Sequence, residues 1–394
     1  MAPPDQLVSR IAAIGGRSAG SDAERRAARL LARELRGVGR TARVQTVWVR
    51  PAWPPVLAFV CGLAVLGTVV SVDHPQTGLG MCLAAALLFA GDLSGRFALL
   101  RRLTVARATQ NVVSLADHDA PVRLVVTAAV DVPRAGIAER GAAARWAAAL
   151  RRRLGLLALG GFGLVAVGLL LATVGGALRA LDQDGAWVGF LQLIPAALLI
   201  VAIGAALDHW TSDPGPGAGA DASACATAVD LVAALDRRPP RMLAVDLVLA
   251  GAGHAHALGM RRWIAAQRRA GLAPEEVVVL HLDACGSGTP VWWTRDGLVL
   301  PLAYHPRLTA LAAEVAARQP RLGARAVQGR AATGARAARA VGWPAIAIGC
   351  RDAQDLAPHA GTERDTAEHV DPEAMAGCLE FALALVMALD RELA

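Results

Sequence analysis

The stretch "LVLAGAGHAHALGM", Leu247–Met260, reads as a strand, a glycine-rich turn bearing two histidines, and the start of a helix. An apolar run without polar alternation suits a strand covered on both faces, as in parallel sheets with crossover helices. The same grammar recurs downstream in "VVVLHLDA" (277–284) and "PAIAIGC" (344–350), and upstream in "ARVQTVWV" (42–49), "NVVSLA" (111–116) and "VRLVVTA" (122–128). Helical stretches lie between them or flank them, at 22–39, Met260–Ala270, Pro306–Ala317 and Pro372–Leu393. Strands alternating with helices imply a largely buried sheet with helices on both faces.

Composition adds a second component. Hydrophobic residues make up 55% of the 394, and the mean hydropathy of +0.41 is high for a soluble α/β chain. Four runs lack charges: Pro51–Val72, Pro75–Gly91, Leu154–Leu178 and Gly185–Leu207. Crossing a bilayer takes about 20 mostly apolar residues, which the second run reaches only by extending past Asp92. The runs pair into two hairpins through the short connections "SVDHPQ" (71–76) and "RALDQDG" (179–185). Each insert must cross an even number of times, because the chain on either side of it joins one sheet. The expected organisation is a discontinuous α/β domain of residues 1–50, 96–153 and 208–394, with hairpins at 51–95 and 154–207.

Arginine carries every fixed positive charge, since the sequence contains no lysine. Arg43, Arg50, Arg96, Arg101 and Arg102 flank the first hairpin, and Arg140, Arg145, Arg151, Arg152 and Arg153 precede the second. The first connection has no arginine, and Arg179 in the second is offset by Asp182 and Asp184. The positive-inside bias therefore puts both connections outside and the α/β domain in the cytoplasm, in a multi-pass inner-membrane protein. The N-terminus has no apolar core of a signal peptide. Six scattered cysteines without a Cys-x-x-Cys pair read as small buried residues in a reducing compartment. The net charge of +7 does not point to nucleic acid, because no aromatic interleaving or basic-helix pattern accompanies it.

Six segments in order carry a family resemblance. "GGRSAGSDAERRAARLLARELRGVG" (15–39) supplies Arg17, Gly20 and Ser21 at a helix start, and "NVVSLADHDAPVRLVVTAAVD" (111–131) a strand pair ending at Asp131. "GAGADASACATAVDLVAAL" (217–235), "AGAGHAHALG" (250–259), "LDACGSG" (282–288) and "PHAGTERDTAEHVD" (358–371) follow. Together they resemble the family-28 zinc metallopeptidases, mostly two-zinc aminopeptidases. The resemblance implies a three-layer α/β/α sandwich with a mixed, mostly parallel sheet, into which the apolar runs insert four transmembrane helices as two hairpins. It also implies a cleft near the bilayer, because the second hairpin enters where the family has its active-site rim.

In that family two zinc ions hold and acidify a water, a carboxylate bridges them, and a glutamate takes the proton. This chain departs at most of those places. Ala129 stands where the family has a histidine ligand, two residues before Asp131. A gapless match places Ala220 at the bridging aspartate and Asp221 at the neighbouring asparagine; a slip of one residue makes Asp221 the bridge. Gly253 occupies the general-base position and His254 the adjacent ligand position, while Asp283 and His359 match the family. His359 lies two residues farther than usual from Asp365 and Thr366, which read as the start of a turn before the last helix, and Gly334 replaces a common acidic residue near the substrate. The metal candidates are thus His254, Asp283, His359 and Asp221, with Asp131 behind them, as the remnant of a site or a weak single-metal site. No cofactor is expected, zinc being the metal if any is retained.

Two functions compete on this reading. One is a non-catalytic membrane protein that keeps a peptidase fold to bind or scaffold a peptide or protein ligand. The other is a zinc-dependent aminopeptidase with rearranged ligands. A transporter is disfavoured, because the spans carry no ionisable residue at mid-depth.

Overall fold

The computed structural model describes residues 4–95, 97–154, 159–183 and 185–394. Arg96, Asp184, the side chain of Arg151 and residues 155–158 of the third apolar run lie outside the described residues.

The chain begins with α1 (Pro4–Ala12), α2 (Asp22–Gly37) and β1 (Arg43–Val49). The first hairpin is α3 (Trp53–Val70) and α4 (Pro75–Ser94), and a short α5 (Leu99–Arg102) leads to β2 (Arg107–Ser114) and β3 (Val122–Ala129). An amphipathic α6 (Gly141–Leu154) precedes the second hairpin, α7 (Gly161–Ala180) and α8 (Ala186–Thr211). Then follow α9 (Ser223–Arg237), β4 (Leu243–Ala250), α10 (Leu258–Arg269), β5 (Val277–Asp283), β6 (Thr289–Asp296) and β7 (Leu302–Ala303). The chain ends with α11 (Pro306–Arg318), β8 (Arg325–Gln328), α12 (Gly334–Arg339), β9 (Ala345–Arg351) and α13 (Pro372–Leu393). The second apolar run does extend past Asp92, whose carboxylate pairs with Arg101 of α5.

All strands join one sheet in the order β1-β2-β4-β3-β5-β9-β6-β7, with β8 pairing β6. Its centre, β4-β3-β5-β9, is parallel, and antiparallel pairs flank it. One face is covered by α1, α2, α9, α11 and α13, through residues such as Leu31, Leu231 and Phe381. The other is covered by α10 and α12, around Trp263 and Trp343. This is the three-layer α/β/α sandwich with a mixed sheet. Parallel central strands leave their carboxyl ends along one edge, where α/β proteins place their sites. Asp131, the 251–257 loop, Asp283 and the 352–365 loop all follow those ends.

Among the described residues, six helices are long and apolar enough to cross a membrane. Packing separates them. The apolar stretch of Ala218–Arg237 is 89% buried against the sheet, and α13 lies in the same core, so both have protein partners on the faces that matter. The stretches in α4 and α8 are only 28% and 22% buried, and Phe59, Leu87, Leu170 and Val201 face outward. Apolar surface on that scale needs a non-aqueous neighbour. The four hairpin helices pack through small residues: a Cβ on Gly78 would lie 2.5 Å from the Gly67 carbonyl oxygen. At the hairpin ends Gln192 joins the two inserts, donating from Nε2 to Ser71 Oγ (2.8 Å) and accepting from Arg179 (2.8 Å).

Candidate functional site

Past β4 the backbone takes an unusual path, with positive φ at Ala252, His256 and Ala257. Left-handed geometry at residues with a Cβ is unfavourable and persists only when other contacts enforce it. Here buried carboxylates do so. Asp131 accepts hydrogen bonds from the backbone N–H of Gly253 and of His254 (3.1 Å for the latter), and Glu24 accepts from Ala252 N (2.8 Å). Glu24 also accepts from Gly20 N and from Thr109 Oγ1, both at 2.8 Å. Burial raises Glu24 to about 8, with Asp131 adding to the push. Burial likewise raises Asp131 to about 6, against the pull of His254. Asp131 is therefore a loop anchor, its two oxygens committed to backbone.

The loop lies so low that the two emptied family positions touch. A Cβ on Gly253 would sit 2.6 Å from the Ala129 Cβ and 3.1 Å from Asp131 Oδ1. A side chain at Gly253 would therefore crowd Ala129 at its first atom, although both residues line an open cavity.

Asp221 stands on a π-turn, Ala218–Ala222, that opens α9. Such a turn holds one residue more per hydrogen-bonded loop than α-helix. Ala220 and Asp221 both line the cleft. The Asp221 carboxylate, not the Ala220 methyl, meets His254, at 2.6 Å between Oδ1 and Nε2. Ala220 instead gives its N–H to Asp365, which also accepts from Gly219 N (2.6 Å) and so caps the turn. Arg17, fully buried, donates to Val130, Pro216 and Gly217 carbonyls, bracing the approaches to Asp131 and Asp221 together.

Burial works against a charge on His254, but Asp221 first, then Asp131 and Asp283, outweigh it and raise its pKa to about 9. An imidazole protonated at neutral pH is a cation in this cleft. Asp283, at the end of β5, is paired with Arg351 at 2.7 Å. Burial pushes Asp283 up, but Arg351, His281 and His254 together hold it below the usual carboxylate range. The Arg351 guanidinium also lies over the Trp293 ring, 4.7 Å from its centroid.

His359 stands apart. It is exposed, has φ of +64°, and tilts against His369 with ring centroids 4.8 Å apart. It lines an outer chamber, and Asp283 lines both that chamber and the inner one of Asp221 and His254. Gly334 approaches His281, where a Cβ would lie 3.2 Å from Nδ1. Arg351 and Glu24 were not anticipated, and Asp365, expected only to start a turn, caps the one that carries Asp221. Arg351 and Asp283 end adjacent parallel strands, a relation invisible until strand order is known.

A catalytic zinc needs about three protein ligands and an open position. Asp221 and His254 offer two, Asp131 is spent on backbone, and Asp283 is held by Arg351. Among the described residues no three His, Cys, Asp or Glu side chains form a group that could hold a metal. The donor set does not fit the family's zinc pair.

Residues 195–386 match the family description "Peptidase family M28". None of the curated proteins matches the sequence. Among solved structures, the zinc aminopeptidase BSAP of Bacillus subtilis has a TM-score of 0.56 at 12% identity, covering 97% of this chain and 93% of that one. LapB of Legionella pneumophila has a TM-score of 0.55 at 12% identity, covering 98% of this chain and 71% of that one. The glutaminyl cyclase of Porphyromonas gingivalis has a TM-score of 0.54 at 14% identity, covering 99% and 97%. The order of the six sequence segments, the three-layer sandwich, the family match and these neighbours agree that the chain has the fold of peptidase family M28, with two apolar helical hairpins inserted in it.

Proposed function

We propose that this chain is a membrane-anchored, non-catalytic binding or scaffolding protein built on the M28 fold. One observation carries the reading. Each cleft-facing carboxylate that zinc would neutralise has a protein cation instead: His254 for Asp221 and Arg351 for Asp283. Burying an unpaired carboxylate is costly, so a site that loses its metals must find other positive charge or lose its acids. Ala129 and Gly253 support the same reading, since neither carries a group that could bind metal or activate water. Losing a positioned general base alone costs about 10²- to 10⁴-fold in rate.

On this proposal the protein lies in the inner membrane with its α/β body in the cytoplasm and contains no resident zinc. The arginines flanking the hairpins support the orientation. The second reading, an aminopeptidase with one rearranged zinc, is favoured only by the free Oδ2 of Asp221 beside His254.

Two experiments test the proposal. Spheroplasts carrying Asp73→Cys or Gln183→Cys should react with an impermeant thiol reagent from outside. The purified protein with zinc or cobalt should hydrolyse no aminoacyl reporter above background. Zinc-dependent turnover that vanishes in His254→Ala would establish the second reading instead.

A further inference from the structure

Between the polar cleft and the hairpins lies a cavity of about 850 Å³, in the size range of small-molecule sites (~300–1,000 Å³). Its two ends differ in chemistry. The floor is Asp221, His254, His281 and Asp283, at the carboxyl ends of the central strands. The walls are apolar and come from the hairpins and α6: Trp53, Leu57, Leu150, Phe162, Val165 and Ala206. The cavity therefore runs from charged groups into the zone of the helices whose outer faces are apolar.

Three residues that line this cavity each carry a buried polar atom without a hydrogen-bond partner: Asp221 Oδ2, His256 Nε2 and His281 Nδ1. All three residues are at most 6% exposed. Orphaned buried polar atoms are rare in folded proteins, and three among the residues around one cavity point to a missing partner. Their character can be read in part. Arg101 Nη2 lies 2.7 Å from His256 Nδ1, and a guanidinium only donates, so Nδ1 accepts and Nε2 carries the proton. The Asp221 carboxylate only accepts. A ligand group that meets both must donate and accept, which a hydroxyl does and an ammonium does not. The His256 ring is itself stacked on Trp53 of α3 (5.5 Å) and edge-on to Phe162 of α7 (5.7 Å), joining the polar floor to the apolar wall.

We propose that the cavity holds a single-chain lipid with a hydroxyl-bearing head. The head would meet Asp221, His256 and His281, and the chain would lie between the hairpin helices. This occupancy rests on the membrane-anchored binding reading above and names its ligand class.

The test uses the full chain reconstituted in phosphatidylcholine vesicles with a monoacylglycerol carrying a mid-chain diazirine. After irradiation, adducts are mapped by mass spectrometry. The expected adducts fall on Trp53, Leu150 or Phe162 and are suppressed by excess unlabelled monoacylglycerol. Ala206→Phe, which fills the cavity from α8, should abolish them while adducts on the outward Leu87 and Ile194 persist. Adducts confined to Leu87 and Ile194 in the unaltered protein would overturn the proposal. So would suppression of the cavity adducts by leucine amide at lower concentration than by monoacylglycerol, which marks a peptide-end site. Hydrolysis alongside cavity labelling would remove the non-catalytic reading and leave the lipid in place; absence of both would do the reverse.

Discussion

Arg17→Met should cost about 4 kcal/mol or more of stability, an exceptional effect for one substitution. The guanidinium is fully buried and donates from Nη1 to Ile11 (2.9 Å) and Pro216 (2.8 Å) carbonyls and, at 3.3 Å, to Ile14. Nε reaches Val130 O at 3.2 Å and Nη2 reaches Gly217 O at 3.1 Å. Burial lowers the Arg17 pKa, opposed first by Asp221, so the charge sits there under strain and is held by its neighbours. Methionine fills the volume but leaves these carbonyls without a donor, at about 1–3 kcal/mol for each one that water does not reach. Thermal unfolding in detergent should show a large fall in midpoint and early proteolysis of the 213–222 segment. A midpoint like the unaltered protein's would mean that Arg17 does not brace the Asp131 and Asp221 approaches.

Restoring the lost base should fail and harm the fold. In Gly253→Glu the new Cβ meets the Ala129 Cβ at 2.6 Å, so the loop must lift away from β3. Overpacking of this kind costs about 1–3 kcal/mol. Lifting also breaks the two backbone hydrogen bonds to Asp131, which leaves a buried carboxylate unpaired. The expected result is a loss of about 3 kcal/mol, with no gain in zinc-supplemented hydrolysis. Glutamate-dependent turnover in a variant of normal stability would show that the loop accepts the base without lifting from β3.

Much of the fold is legible in the sequence because its signals are local. The central strands are unbroken apolar runs, and the hairpins are longer and more apolar than a soluble core requires. The three strands β6, β7 and β8 were missed for a physical reason. "TPVWWTRD" mixes two tryptophans with charges and lacks a clean period, and β7 and β8 have two and four residues. The third run begins its helix at Gly161 rather than Leu154, since α6 is an arginine-bearing helix of its own. At the site, residue identities were readable and their pairings were not. Asp221, on the π-turn that opens α9, meets His254 from another loop, a contact that linear spacing cannot report. Asp283 finds Arg351 across two adjacent strands, and Asp131 serves backbone rather than chemistry. His359 matches the family by letter, yet it sits exposed beside His369 in the outer chamber.

The central claim is that a protein cation, His254, stands where a metal would neutralise Asp221. A proton on His254 stabilises the fold, because its pKa is raised from 6.5 to about 9. That contribution is complete below about 6.5 and lost as the pH rises through about 9. The most direct measurement is a nitrogen-15 NMR titration of the His254 ring in the full-length protein, with and without one equivalent of zinc. The expected result is an imidazolium that deprotonates near pH 9 and is unmoved by zinc at neutral pH. A ring that titrates at or below the ordinary histidine value, or that loses its proton when zinc is added, would contradict it and make Asp221 and His254 metal ligands.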